Sequence, residues 1–459
     1  MNALVQDSKL PHIVVLGAGF GGLMFAKDFP AHLARITMVD RQNHHVFQPL
    51  LYQVATAGLA APDIAQPIRS ILRDKPNLTV LMAAVQGIDL AAKRVQLDQG
   101  ALDFDYLVIA LGGQTSYFGH DDWEQFAPGL KTLDDAVRLR RNMLLAYERA
   151  EVETDPAKRR ELMTTVVVGG GPTGVELAGT FAELARTVLY RDFDHIDPRQ
   201  AHILLVEGGP RVLATFPADL SASAQRQLAG LGVDVRLNTK VTAIRAHEVE
   251  LDGRPLRAGN IVWAAGVGAS PVTRSLGVET DRAGRIKVRP DLSLPGHPAV
   301  FAVGDIATLT DAKGRVVPGV AQGAMQGGTF VAKLIAHDLT VGPRRPEERP
   351  AFAYRDKGNM ATIGRSKAIA QIGPMHLSGF IAWVMWLALH IVFLVGLRNR
   401  ISVFVNWVYS YFTYKRGARI ILGEETGRQG ADSLPPGGGQ RSGRPTTPPA
   451  PAVRASPAS

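Results

Sequence analysis

Two short glycine-rich stretches are where this sequence could do chemistry. Gly17-Ala18-Gly19-Phe20-Gly21-Gly22 directly follows the apolar run His12–Leu16, and Gly169-Gly170-Gly171-Pro172-Thr173-Gly174 directly follows Thr164–Val168. In each, the first glycine permits a tight strand-to-helix turn. The third position lets backbone approach a pyrophosphate, and the sixth lets helix pack close to strand. The helix opening there turns its positive dipole end toward the phosphates. A carboxylate completes each set: Asp40 ends the stretch 35–39, and Glu207 ends His202–Val206. An acid there accepts hydrogen bonds from ribose hydroxyls and repels a 2′-phosphate. Two dinucleotides are therefore expected on one chain. FAD and NADH fit best, because a flavin accepts a hydride and releases electrons singly. Glu207 lies further from its loop than Asp40 does, and 192–200 reads as the insertion responsible. Arg211, close to Glu207, is the one residue that argues for NADPH.

The elements that must hold these loops are legible as buried parallel strands alternating with helices, an α/β chain with two Rossmann-like domains. Further strands are expected at 106–110, 261–265 and 300–303, ending at Leu111-Gly112-Gly113, Gly266 and Gly304-Asp305. Asp305, just past a strand at the carboxyl edge of a parallel sheet, is placed to meet a ligand chain in the crevice. Glu176 falls in the first turn of the second helix. It either favours the helix dipole or, desolvated, takes part in a proton relay. Gln322 and Gln326 share one face if Ala321 starts a helix, and their amides can donate to a carbonyl without a charge change.

Composition narrows the chemistry. The chain has 459 residues, enough for about three domains, and no cysteine, which excludes disulfides, thiolate metal sites, iron–sulfur clusters and a redox Cys pair. No His/Asp/Glu cluster has metal-ligand spacing, so no catalytic metal is expected. The net charge is +9. Most of the surplus lies after Phe380, among aliphatic and aromatic residues rather than in a basic, aromatic-interleaved stretch, so no nucleic-acid partner is expected. The N-terminus lacks the features of a secretory signal and points to a cytoplasmic start. Residues 423–459 contain seven Pro and seven Gly and are expected to be a disordered tail.

Before that tail lies the apolar run 380–397, then Arg398-Asn399-Arg400, then 401–414 and the basic Lys415, Arg416 and Arg419. The first run approaches the length of a membrane span. The second is too short and polar to cross back, carrying Ser402, Asn406 and Ser410. Together, with three Trp and three Tyr, they read as an interfacial anchor on an anionic lipid surface, the arginines between them reaching lipid phosphates. Arg365 and Lys367 are expected in solvent or at headgroups, and His390 bonded to a backbone carbonyl.

GAGFGG, ALGG, GGGPTGVELAG, WAAGV and FAVGD, in this order, resemble the two-dinucleotide-binding-domain flavoproteins of the glutathione-reductase-like superfamily. The block His45–Tyr52, AQGAMQ at 321–326, GRSKAIA at 364–370 and the Trp-rich segments resemble, more narrowly, the type II NADH dehydrogenases, single-subunit, non-pumping NADH:quinone oxidoreductases. The resemblance implies a divided FAD-binding domain, 1–120 and 290–350, around an NADH-binding domain, 121–289, with a membrane-anchoring region at 351–422. It adds Arg41, Gln48, Val85, Gly112, Asp305, Ala321 and Gln322 to the flavin-side residues and Gly266 to the cofactor set. It supports Glu176, Gln322 and Gln326 in catalysis. It also implies a membrane quinone as acceptor, a peripheral (monotopic) place on the cytoplasmic face of the cell membrane, and a homodimer. Two other readings stay open: a soluble NAD(P)H-dependent flavin reductase or electron-transfer flavoprotein, and a non-enzymatic flavin redox sensor.

Overall fold

A computed structural model describes residues 10–311, 314–413 and 417–421. The expected tail at 423–459, Lys415, Arg416 and the extreme N-terminus lie outside the described residues. Buried β-branched and aliphatic runs build two sheets of the same plan. In the first, the strand His12–Leu16 pairs in parallel with Arg35–Asp40 on one side and Tyr106–Ile109 on the other. In the second, Thr164–Val168 pairs in parallel with His202–Val206 and Asn260–Trp263. Each acid-bearing strand gains an outer parallel neighbour, Leu78–Met82 and Val233–Arg236 respectively. Each sheet also has an antiparallel three-stranded meander inserted before its third parallel strand, at 85–103 and 241–257.

The first sheet is completed from far along the chain. His297–Ala302 pairs in parallel with Tyr106–Ile109, and the helix Ala321–Thr340 packs on the helix Phe20–Asp28. Their contact depends on a missing side chain: a Cβ on Gly328 would stand 2.1 Å from the carbonyl oxygen of Gly21. The helix Pro172–Thr187 is covered instead by the strand Asn359–Gly364, and a Cβ on Gly179 would stand 1.7 Å from the Ile363 carbonyl oxygen.

The C-terminal region forms a three-stranded antiparallel sheet, 359–378, and two helices, Phe380–Phe393 and Leu397–Thr413. The apolar run expected to continue to 397 breaks at Leu394, which is extended, and Gly396, whose φ is +88°. Arg398 and Arg400 therefore belong to the second helix instead of separating the segments, and Arg400 Nε donates to the Leu394 carbonyl at 2.7 Å, closing the end of the first helix. No helix among the described residues is long and apolar enough to cross a membrane. Arg419 also departs from expectation, since it pairs with Asp192 of the insertion after the second glycine-rich helix.

Candidate functional site

The two glycine-rich turns are built alike. Gly17 and Gly169 have φ of +98° and +110°, a region that excludes most side chains. The sixth glycine of each turn touches the first: a Cβ on Gly22 would lie 1.9 Å from the Gly17 carbonyl oxygen, and one on Gly174 1.8 Å from that of Gly169. The carboxylates hold the turns from outside. Asp40 accepts from the Ala18 and Gln42 amides at 2.7 and 2.8 Å. Glu207 accepts from the Gly170 and Gly209 amides at 2.6 and 2.7 Å. Burial pushes the Asp40 carboxyl above its ordinary pKa despite these bonds. Arg211 is engaged elsewhere, donating to the Ala214 carbonyl at 2.8 Å.

The first turn is open at Gly19 and closed at Gly21. A Cβ on Gly19 would meet nothing within 4 Å, whereas Gly21 is closed by Val303 and the Ala324 carbonyl. Two buried polar atoms nearby have no partner in the protein: His45 Nε2 and Gln322 Oε1. His45 Nδ1 lies 3.0 Å from the Ala18 carbonyl of the turn, and burial lowers its pKa to about 4, so the imidazole is neutral. Such orphaned atoms are what a ligand with its own donors and acceptors would satisfy.

Asp305 follows Gly304, whose φ is +78°. It borders Gly113 and Gly319, where added Cβ atoms would fall 3.3 and 3.2 Å from its side chain. Lys131 Nζ stands 4.0 Å from Asp305 Oδ2. Gln48, Leu51, Tyr52, Leu130, Lys131, Thr173 and Glu176 line one cavity. It brings the segment after the first turn against the helix of the second. Burial raises the pKa of Glu176 to about 8, opposed by a hydrogen bond from the Thr362 amide. The carboxyl therefore holds its proton at neutral pH.

The remaining sequence candidates separate. Ala321 opens the long helix, and Gln322 Nε2 donates to the Gly358 carbonyl at 3.2 Å, leaving Oε1 free. Its unspent atom is thus an acceptor, where a donor was expected. Gln326 is used up: its Nε2 donates to the Arg355 carbonyl at 3.0 Å and its Oε1 accepts from the Arg355 amide at 2.9 Å. Arg41 is exposed at the strand end and Val85 half-buried at the start of the first meander. Gly112 is open and in the left-handed region, and Gly266 is closed by the Ser116 carbonyl, 2.7 Å from an added Cβ.

A second cavity of about 110 Å³ is lined by Tyr52, Thr180, Glu183, Thr362, Arg365, Trp383, Trp386, Trp407 and Tyr411 among others. Arg365, expected in solvent or at headgroups, lies over the Tyr411 ring at 4.2 Å. His390 Nδ1 lies 2.6 Å from the Trp386 carbonyl, and its ring stacks on Trp386 with centroids 3.9 Å apart. Lys131, Tyr52 and Thr362 are site residues that sequence reasoning did not single out. Only Tyr52 gave a signal, as the end of the block His45–Tyr52.

The sequence matches the pyridine nucleotide-disulphide oxidoreductase family over residues 11–328 and the NDH2 C-terminal domain over 357–415. It is 42% identical to the type II NADH:quinone oxidoreductase Ndh of Mycobacterium tuberculosis, over 92% of each chain. It is 44% identical to NdhA of the same organism, over 90% of this chain and 89% of that one. The structure of Plasmodium falciparum NDH2 in complex with NADH shares the fold, with a TM-score of 0.82 at 19% identity over 90% of this chain and all of that one. A sulfide:quinone oxidoreductase of Aquifex aeolicus shares it at a TM-score of 0.67 and 19% identity, over 88% of this chain and 95% of that one.

Proposed function

We propose that this chain, which belongs to the type II NADH:quinone oxidoreductases within the pyridine nucleotide-disulphide oxidoreductase family, oxidises NADH at a bound FAD and delivers two electrons to a membrane quinone without pumping protons. The observation that carries this reading is the cavity where Gln48 and Tyr52 meet Thr173 and Glu176. It joins the segment that follows the first pyrophosphate-type turn to Thr173 of the second, so a nicotinamide on the second would approach a flavin on the first. The flavin supplies a ring that takes up a hydride and gives up electrons.

The chain's own work is positioning and proton handling. Gly17–Gly22, tied by Asp40, hold the FAD pyrophosphate on a helix N-terminus, with Asp305 and Gly112 at the crevice edge and Arg41, Gln48 and Val85 along the cofactor. Gly169, Gly171, Pro172, Thr173 and Gly174, tied by Glu207, hold NADH, with Gly266 at the neighbouring strand end. Glu176 keeps a proton at its carboxyl. Gln322 Oε1 accepts from an N–H or O–H of flavin or quinol. Residues 1–120 and 290–350 form the FAD-binding part, and 121–289 the NADH-binding part.

The C-terminal helices support attachment to a lipid surface. The first helix is 14 residues long, about 21 Å against a hydrocarbon core of about 30 Å. The pair leaves Phe380, Ile381, Val392, Leu397, Phe404 and Phe412 exposed. We therefore read it as a monotopic anchor on the cytoplasmic face of an anionic membrane. The family resemblance is the support for a homodimer.

Anaerobic titration of the purified protein with NADH, followed by a short-chain quinone, tests the reading. NADH should bleach the flavin absorbance and the quinone should restore it. Colourless protein, or reduced protein that a quinone does not reoxidise, would sink it.

A further inference from the structure

Lys131 is a cation in an awkward place. It belongs to the loop before the helix Leu133–Val152, whose N-terminus is fixed by a capping box between Thr132 and Asp135. The Lys131 amide itself donates to Asp135 Oδ2 at 3.1 Å. Its side chain, 24% exposed, leaves that cap and lines the same cavity as Thr173 and Glu176. Asp305 stands 4.0 Å away, an ion pair without a hydrogen bond. Burying an ammonium costs free energy that a partner at this distance offsets only in part, and burial indeed lowers its pKa.

The charge balance of hydride transfer gives this cation a use. A hydride leaves the nicotinamide C4 with both electrons of its C–H bond, so the nicotinamide ring becomes a cation and the flavin gains the negative charge. We propose that Lys131 is the fixed positive charge of this cavity, drawing electrons toward the flavin and disfavouring the oxidised nicotinamide that must leave. The other ionisable groups at the cavity and beside Lys131 are Glu176, Tyr52 and Asp305. Glu176 is neutral when protonated, so Lys131 is, among the described residues, the one charged group lining the cavity, its charge offset in part by Asp305 at 4.0 Å. The proposal rests on the flavin and NADH assignment above.

Three variants, isolated as full-length protein, separate the possibilities: Lys131→Met, Lys131→Gln and Lys131→Arg. Flavin absorbance is read first, because wild-type protein without flavin would defeat the assignment of function rather than this proposal. With flavin retained, redox titration should show Lys131→Met shifting the two-electron equilibrium about tenfold toward the oxidised flavin, the order expected for losing one nearby charge. That corresponds to a potential lower by about 30 mV. The ratio of NAD+ to NADH dissociation constants should fall about tenfold in the same variant, and Lys131→Arg should restore both. An unchanged potential and ratio would overturn the proposal, and so would an arginine variant indistinguishable from the methionine one. Loss of flavin from both Lys131→Met and Lys131→Gln would also overturn it, assigning Lys131 to cofactor retention.

Discussion

The two glycine-rich turns share a plan and differ in what covers them. Both begin with a left-handed glycine, and both are tied by a carboxylate that accepts from the second residue of the turn. The first is roofed by a helix from far along the chain, with Gly328 pressed on the Gly21 carbonyl. The second has its helix braced at Gly179 by the C-terminal sheet. Position for position, Glu176 stands where the first helix carries Met24. On the assignment proposed above, one binding device would serve a retained cofactor where a second chain segment closes over it, and an exchanging substrate where the brace falls further along the helix.

The most drastic way to break the comparison is to fill the sixth glycine. Gly22→Ala should cost about 2 kcal/mol or more, since the new Cβ meets backbone, and release the flavin; absorbance and thermal melting report it. Gly174→Ala should keep the colour while weakening NADH binding at least about tenfold. Equal loss of flavin from both would erase the distinction drawn above.

Glu176→Gln comes next. Turnover should fall about 100-fold if the carboxyl relays protons, and a rate inflection near pH 8 should vanish with it. Stability gives an independent check. In the folded protein Glu176 holds its proton up to about pH 8, while in the unfolded chain it ionises near its ordinary value of 4.5. The group's contribution is therefore complete below pH 4.5 and declines as pH rises toward 8. Denaturant midpoints of Glu176→Gln should lack that decline; parallel curves for the two proteins would place the carboxyl in water.

Glu207→Gln should have a smaller effect, roughly tenfold in the preference for NADH over NADPH, read from kcat/KM for each. An unchanged preference would mean that Glu207 serves the turn alone. The smallest effect should come from Gln326→Leu, under about threefold in quinone turnover, because its amide is already closed on the Arg355 backbone. Gln322→Leu should slow quinone reduction more than it slows flavin reduction, and equal losses would remove it from the acceptor side.

What was legible from sequence was local. A glycine that must turn, a carboxylate at a strand end and a buried apolar run all reveal themselves within a few residues, and the strands at 12–16, 164–168 and 202–206 fell where they were expected. The misreadings were long-range. Gln326 looked free because its partner, Arg355, lies across a loop with no pattern of its own. Lys131 carried no signal because its surroundings come from three distant segments. In the sequence Arg398 and Arg400 lie between the two apolar runs, while in the structure Gly396 makes the turn. Asn399, Ser402 and Asn406 recur at helical spacing, and all three face the protein, bonding Ala65 and Asp63.

That polar seam has a mechanical meaning. Ser402 Oγ donates to Asp63 at 2.7 Å, and Trp407 Nε1 to Gln53 at 2.8 Å, so the second helix is keyed against rotation about its own axis. If the pair is the lipid anchor proposed above, a keel that cannot roll would set the angle at which the hull rides.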